Sequence, residues 1–149
     1  MDTQSAGAAI ALDVSTLFVV ATCVTALLGL FLLFAWRQDR IRALAWWGAA
    51  YLVGGFSVAL WTLQGFGSPF VLTALPNALL LLACGMIWSA ARMFHGRDVL
   101  WIAMCAGTGV WLLASAFPSF EQSSVLRIAV SSLVISSYAF LSQQLKLSR

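Results

Sequence analysis

Between positions 17 and 36 the chain reads LFVVATCVTALLGLFLLFAW, twenty residues without a charge, and then meets Arg37, Arg40 and Arg42. A run of that length covers the roughly 30 Å of hydrocarbon in a bilayer when it coils as a helix. The same alternation of long uncharged stretches and short polar breaks continues to the end of the chain. It predicts helices at about 13–36, 44–64, 69–94, 100–117 and 125–147. The punctuation agrees. Asp13 or Ser15 is a cap for the first helix, behind a short tail of residues 1–12. Ser68 and Pro69 form an N-cap and N1 pair for the third. Pro118 ends the fourth, and Pro76 inside the third removes one backbone donor and predicts a kink.

Within these stretches small residues recur on one face. Thr22, Ala26 and Gly29 do so in the first helix, and Gly48, Leu52, Gly55 and Ala59 in the second. An Ala103-xxx-Gly107 pair lies in the fourth. Such stripes let helix backbones approach closely. The glycines of Gly54-Gly55 and of Gly107-x-Gly109 are therefore read as packing residues and not as a phosphate loop.

Composition settles the class. Hydrophobic residues make up 62% of the 149 positions and charged ones 9%, against roughly 25% charge in a soluble domain. The fold expected is an all-α integral membrane bundle of five transmembrane helices in one domain. Basic residues give its orientation, because Lys/Arg-rich short loops stay in the cytoplasm. Arg37, Arg40, Arg42, Arg92, Arg97, Lys146 and Arg149 fall on one side of the predicted bundle, and Arg127 on the other. The topology expected is N-out/C-in, and an uncleaved N-terminus goes with it, since residues 1–12 lack a basic signal-peptide region. The formal charge of +3 is scattered over helix ends and forms no stripe, so no nucleic-acid partner is expected.

Little in the chain points to catalysis. The single histidine, His95, lies in a loop. Cys23, Cys84 and Cys105 sit inside apolar runs and read as small buried hydrophobes. No metal-ligand spacing, nucleophile–base pair or cofactor motif is expected to act, so the chain itself is not read as an enzyme. Polar residues at membrane depth are the functional candidates. Asn77, Gln64, Asp13 and Arg127 all fall toward the outer side and could line a shallow pocket, with Arg127 paired to Asp13 or Glu121. An apolar lining would suit a small hydrophobic ligand. In the last helix Ala129, Ser132, Ser136, Ala139 and Gln143 recur at 3–4–3–4 spacing, a seam of small and polar residues. It would pair with its copy in a homodimer, or pack on the first or fourth helix of the same chain. The helical pattern holds through QQLKLSR, as expected of a connector to a further domain.

Four strings carry a resemblance: FAWRQDR at 34–40, ALAWWGAAYLVGG at 43–55, ALW at 59–61 and CGMIWSAARMFHGR at 84–97. With the arginine-rich turn and Trp46-Trp47-Gly48 as its most specific parts, the chain resembles the N-terminal membrane region of bacterial GGDEF-type diguanylate cyclases. The resemblance implies a sensing or anchoring module in the bacterial inner membrane. A cytoplasmic domain would follow it and condense two GTP molecules into cyclic di-GMP across a dimer interface. No Gly-Gly-Asp-Glu-Phe string occurs in these 149 residues, so no catalytic residue is carried over. A small transporter or channel subunit is the alternative class. It would need a substrate path marked by ionisable groups near the bilayer centre or by paired broken helices, and no ionisable residue falls at the predicted midplane.

Overall fold

The computed structural model describes the backbone of residues 3–62, 69–117, 120 and 123–147, and the side chains of 16–62, 72–117, 120 and 123–143. Among the described residues there are five helices and no strand: α1 (Thr3–Asp39), α2 (Arg42–Thr62), α3 (Pro69–Phe94), α4 (Trp101–Ser115) and α5 (Ser124–Leu147). Four of them, α1, α2, α3 and α5, are long and apolar enough to cross a membrane. α4 has 15 residues, three fewer than the 100–117 expected, and its apolar length is below that of the other four. α3 continues through Pro76 without a break.

α1 begins ten residues before the expected position. Asp13 is therefore inside the helix and is not its N-cap. The segment TQSAGAAIALDVS holds four alanines and no proline. Alanine is the best helix former, and a lone Asp or Ser does not stop a helix that an alanine-rich stretch has already started.

Neighbouring helices run in opposite directions. Thr25 of α1 faces Gly55 of α2, and Gly29 faces Gly48 and Leu52. Trp47 of α2 meets Phe94 of α3, while Ser57 meets Pro76. On α4, Thr108 reaches Ala78 and Trp111 reaches Ala74, so α4 descends as α3 climbs. α5 reverses again and runs with α3. Its Tyr138 lies beside Trp88, and Arg127 shares a cavity with Asn77. Among the described residues α3 is the hub, touching α2, α4 and α5, whereas α1 packs on α2 alone.

The stripes of small residues are where backbones meet. A Cβ on Gly29 would lie 2.9 Å from Leu52 Cγ, and one on Gly48 would lie 2.9 Å from the Gly29 carbonyl oxygen. One on Gly85 would collide with the Met104 backbone, so α3 and α4 touch there through main chain. Ala78, Leu81, Trp111 and Phe120 form a buried cluster, with Trp111 edge-on to Phe120 at 5.3 Å.

The outward surface is apolar. On α1 it is the row Leu17, Val20, Val24, Leu27, Phe31 and Phe34, at helical spacing. On α4 Ile102 is 90% exposed, and on α5 Val125 is 76% exposed. A water-soluble monomer rarely shows an apolar surface that continuous, whereas hydrocarbon covers it without penalty. The expectation that all three cysteines are buried is corrected here: Cys23 and Cys105 are exposed on this surface and Cys84 is half-buried. Apolar sequence context does not separate a core position from one that faces lipid.

α1 and α3 each end in a left-handed cap. Arg40 has φ 56° and its N–H bonds to the Trp36 carbonyl at 2.8 Å. Gly96 has φ 73°, with Gly96 N–H on the Met93 carbonyl and Arg97 N–H on the Arg92 carbonyl, both at 3.0 Å, which is the Schellman pattern.

Candidate functional site

Proline at position 76 removes the N–H that the Leu72 carbonyl would accept. Polar side chains gather on the backbone around it. Asn77 Nδ2 donates to the Thr73 carbonyl at 2.7 Å. Trp111 Nε1 donates to Ala74 at 3.2 Å, Ser57 Oγ to Pro76 at 2.6 Å, and Thr108 Oγ1 to Ala78 at 3.3 Å. Donors from α2, α3 and α4 thus converge within two turns of α3. Ser57 and Trp111 are fully buried, and at such depth a side-chain polar atom needs a protein partner.

Next to this knot lies a cavity of about 190 Å³ lined by Asn77, Trp111, Ser124, Arg127, Ile128 and Ser131. The structure therefore places Asn77 and Arg127 on one cavity. Arg127 Nη2 reaches Ser124 Oγ at 3.4 Å within its own helix. Gln64, Glu121 and the side chain of Asp13 lie outside the described residues. Its lining mixes polar groups with the Trp111 ring and Ile128, and the volume is below the roughly 300 Å³ at which sites for drug-sized ligands begin.

α5 has two distinct faces. Arg127, Val130, Ser131, Val134, Tyr138 and Ser142 are buried or half-buried and turn toward the bundle. Ala129, Ser132, Ser136, Ala139 and Gln143 are all exposed. At 100° per residue Ser132 and Ser136 sit roughly 160° from Val134, so the seam occupies the opposite side. Among the described residues the other face makes the contacts of α5 with α3 and α4, and α5 makes none with α1. The serines separate in the same way. Ser131, Ser137 and Ser142 return their hydroxyls to the carbonyls of Arg127, Leu133 and Tyr138 at 2.9, 2.7 and 2.8 Å. Among the described residues, Ser132 and Ser136 make no hydrogen bond.

Tyr138 is a residue that sequence reasoning missed. Its hydroxyl donates to the Ala103 carbonyl at 2.7 Å, with Met104 O at 3.1 Å, and accepts Gly107 N–H at 3.2 Å. Gly107 makes room for it, since a Cβ there would lie 3.0 Å from the ring. The signal was present as a lone tyrosine in an apolar helix and a small-residue pair in the one before it.

Arg37, Arg40, Arg42, Arg92 and Arg97 gather at the end of the bundle opposite to Arg127. Arg92 lies over the Trp88 ring at 5.1 Å, and its Nε donates to the Asp98 carbonyl at 3.1 Å. His95 donates Nδ1–H to the Ala91 carbonyl at 2.8 Å, so it serves the end of α3. Among the described residues no three His, Cys, Asp or Glu side chains come together as metal ligands. No family model matches the chain, and no curated protein or solved structure matches it significantly.

Proposed function

We propose that the chain is a membrane-embedded sensory or anchoring module that crosses the bilayer five times, N-out/C-in, and works as a homodimer through α5. Its signal passes along α5 to a cytoplasmic domain of the GGDEF diguanylate cyclase type, as the resemblance implies. The bacterial inner membrane is its expected site. The observation that carries this reading is the outward seam of α5. Among the described residues Ser132 and Ser136 are exposed and make no hydrogen bond, and a second copy of the helix would supply acceptors. A change in how two such helices pair moves their cytoplasmic ends relative to each other. A stimulus can drive that change only by favouring one pairing over the other. The cavity at Asn77 and Arg127 lies between α3 and the start of α5, which supports its use as the input end of that helix.

Single-cysteine cross-linking tests it. In a chain with Cys23, Cys84 and Cys105 replaced, Ser136→Cys is expected to give a disulfide dimer in native membranes, and Leu113→Cys, on the exposed face of α4, is not. A monomer-only pattern for Ser136→Cys would remove the dimer and with it the proposed relay.

A further inference from the structure

At the arginine-rich end the helices do not close on one another. An open cavity of about 830 Å³ lies between the start of α2, the end of α3 and the start of α4. That volume is within the 300–1,000 Å³ typical of ligand sites. Its walls carry two kinds of chemistry. Arg42 and Arg97 bring guanidinium groups against one carboxylate, Asp98. Trp46, Trp101 and Phe94 bring rings. Trp46 and Trp101 meet edge-on at 5.3 Å and form a continuous indole wall between α2 and α4. The frame is held by backbone. Gly96 turns the chain in the left-handed region, and the bond from Arg92 to the Asp98 carbonyl fixes the loop that carries Arg97.

We infer that this cavity binds a phosphate group carried on an amphiphile, that is, the headgroup of an anionic phospholipid. Guanidinium groups bind phosphate oxygens in pairs of parallel hydrogen bonds. Of the charged residues that line the cavity, two are arginines and one is an aspartate. The ring wall beside them suits the glycerol and upper acyl region of the same molecule. Tryptophans sit at headgroup depth in membrane proteins, which is where a lipid phosphate lies. A soluble anion would use the arginines and leave the indole wall idle. The inference rests on the membrane reading above, and on its orientation only in placing the cavity in the cytoplasmic leaflet.

The test uses the whole chain purified in detergent. Phosphatidylglycerol, phosphatidylcholine and inorganic phosphate are added in turn, and retention is read by native mass spectrometry. Phosphatidylglycerol is expected to bind about tenfold more tightly than phosphatidylcholine, a preference that Arg42→Gln removes. Arg42 is exposed, so this change leaves the helices in place, which circular dichroism checks. Arg37→Gln, at the same end but outside the cavity, is expected to keep the preference. Equal retention of the two lipids, or the same loss in Arg37→Gln, overturns the site. Displacement of the lipid by millimolar inorganic phosphate overturns the lipid source and assigns a free anion. A chain that stays in water and takes up no detergent overturns the membrane reading itself, which is a different result from a missing lipid preference.

Discussion

Arg40 holds a backbone conformation that side chains disfavour, at φ 56°. Only glycine occupies that region without a steric penalty. A glycine there would relieve the strain and remove the charge. Arg40→Gly is therefore expected to raise the stability of the α1–α2 turn by about 1 kcal/mol while weakening retention of that loop on the basic side. Thermal unfolding in detergent reads the first effect, and an unchanged or lower midpoint would contradict it. The two buried tryptophans make a second comparison at this scale. Trp111 Nε1 is paired to Ala74, whereas Trp88 Nε1 is buried with no partner among the described residues. Truncating each to Phe removes a similar ring area. Trp111→Phe is expected to cost about 1 kcal/mol more than Trp88→Phe, because it alone loses a hydrogen bond. Equal losses would mean that Trp88 has an acceptor, such as a buried water.

Elements are joined in this protein by gaps in side-chain volume more than by large residues, and glycines two positions apart can differ in sign. A Cβ at Gly107 would lie 2.7 Å from Val134 Cγ1 of α5, while one at Gly109 meets nothing within 4 Å. Gly107→Ala is expected to destabilise by about 1–3 kcal/mol through overpacking. Gly109→Ala is expected to stabilise by about 0.4–1 kcal/mol by restricting the unfolded chain. Unfolding midpoints of the two variants in one detergent decide the matter, and the same sign in both would break the argument. The comparison also explains what was legible in sequence. Helix positions and the α1–α2 stripe at Gly29, Gly48 and Gly55 follow from apolar length and small-residue spacing, which are local. The early start of α1 was missed because Asp13 looks like a cap when the alanines before it are read as a tail. The burial of Cys23 and Cys105 was misjudged because hydrocarbon and protein core select the same residue types. Asn77 and Arg127 were legible as polar residues at depth. The ring of carbonyls around Pro76 that Ser57, Thr108 and Trp111 engage was not, since it depends on which faces of α2 and α4 meet α3.

At the scale of the molecule, orientation and crossing number depend on α4. Its 15 residues span about 22 Å as a helix, short of the roughly 30 Å of hydrocarbon. Direction argues for a crossing all the same. α4 runs against α3 from Gly85 near Met104 to Ala74 near Trp111, and α5 then runs with α3 from Asn77 to Trp88. A chain that returned to the arginine end before α5 would have to start α5 beside Trp88, and it starts beside Asn77. Trp101, the first residue of the helix, lines the 830 Å³ cavity. A bilayer thinned around the short helix would accommodate it. Membrane-impermeant maleimide labelling of single cysteines tests the crossing. Ser123→Cys is expected to react from outside intact cells, and Asp98→Cys only from the cytoplasmic side of inverted vesicles. The reagent should leave Cys23 and Cys105 unmodified in both, because the faces that carry them lie in hydrocarbon. Reaction of positions 98 and 123 from the same side would mean that α4 does not cross, and would place the end of α5 outside the cell, where it could reach no cytoplasmic domain.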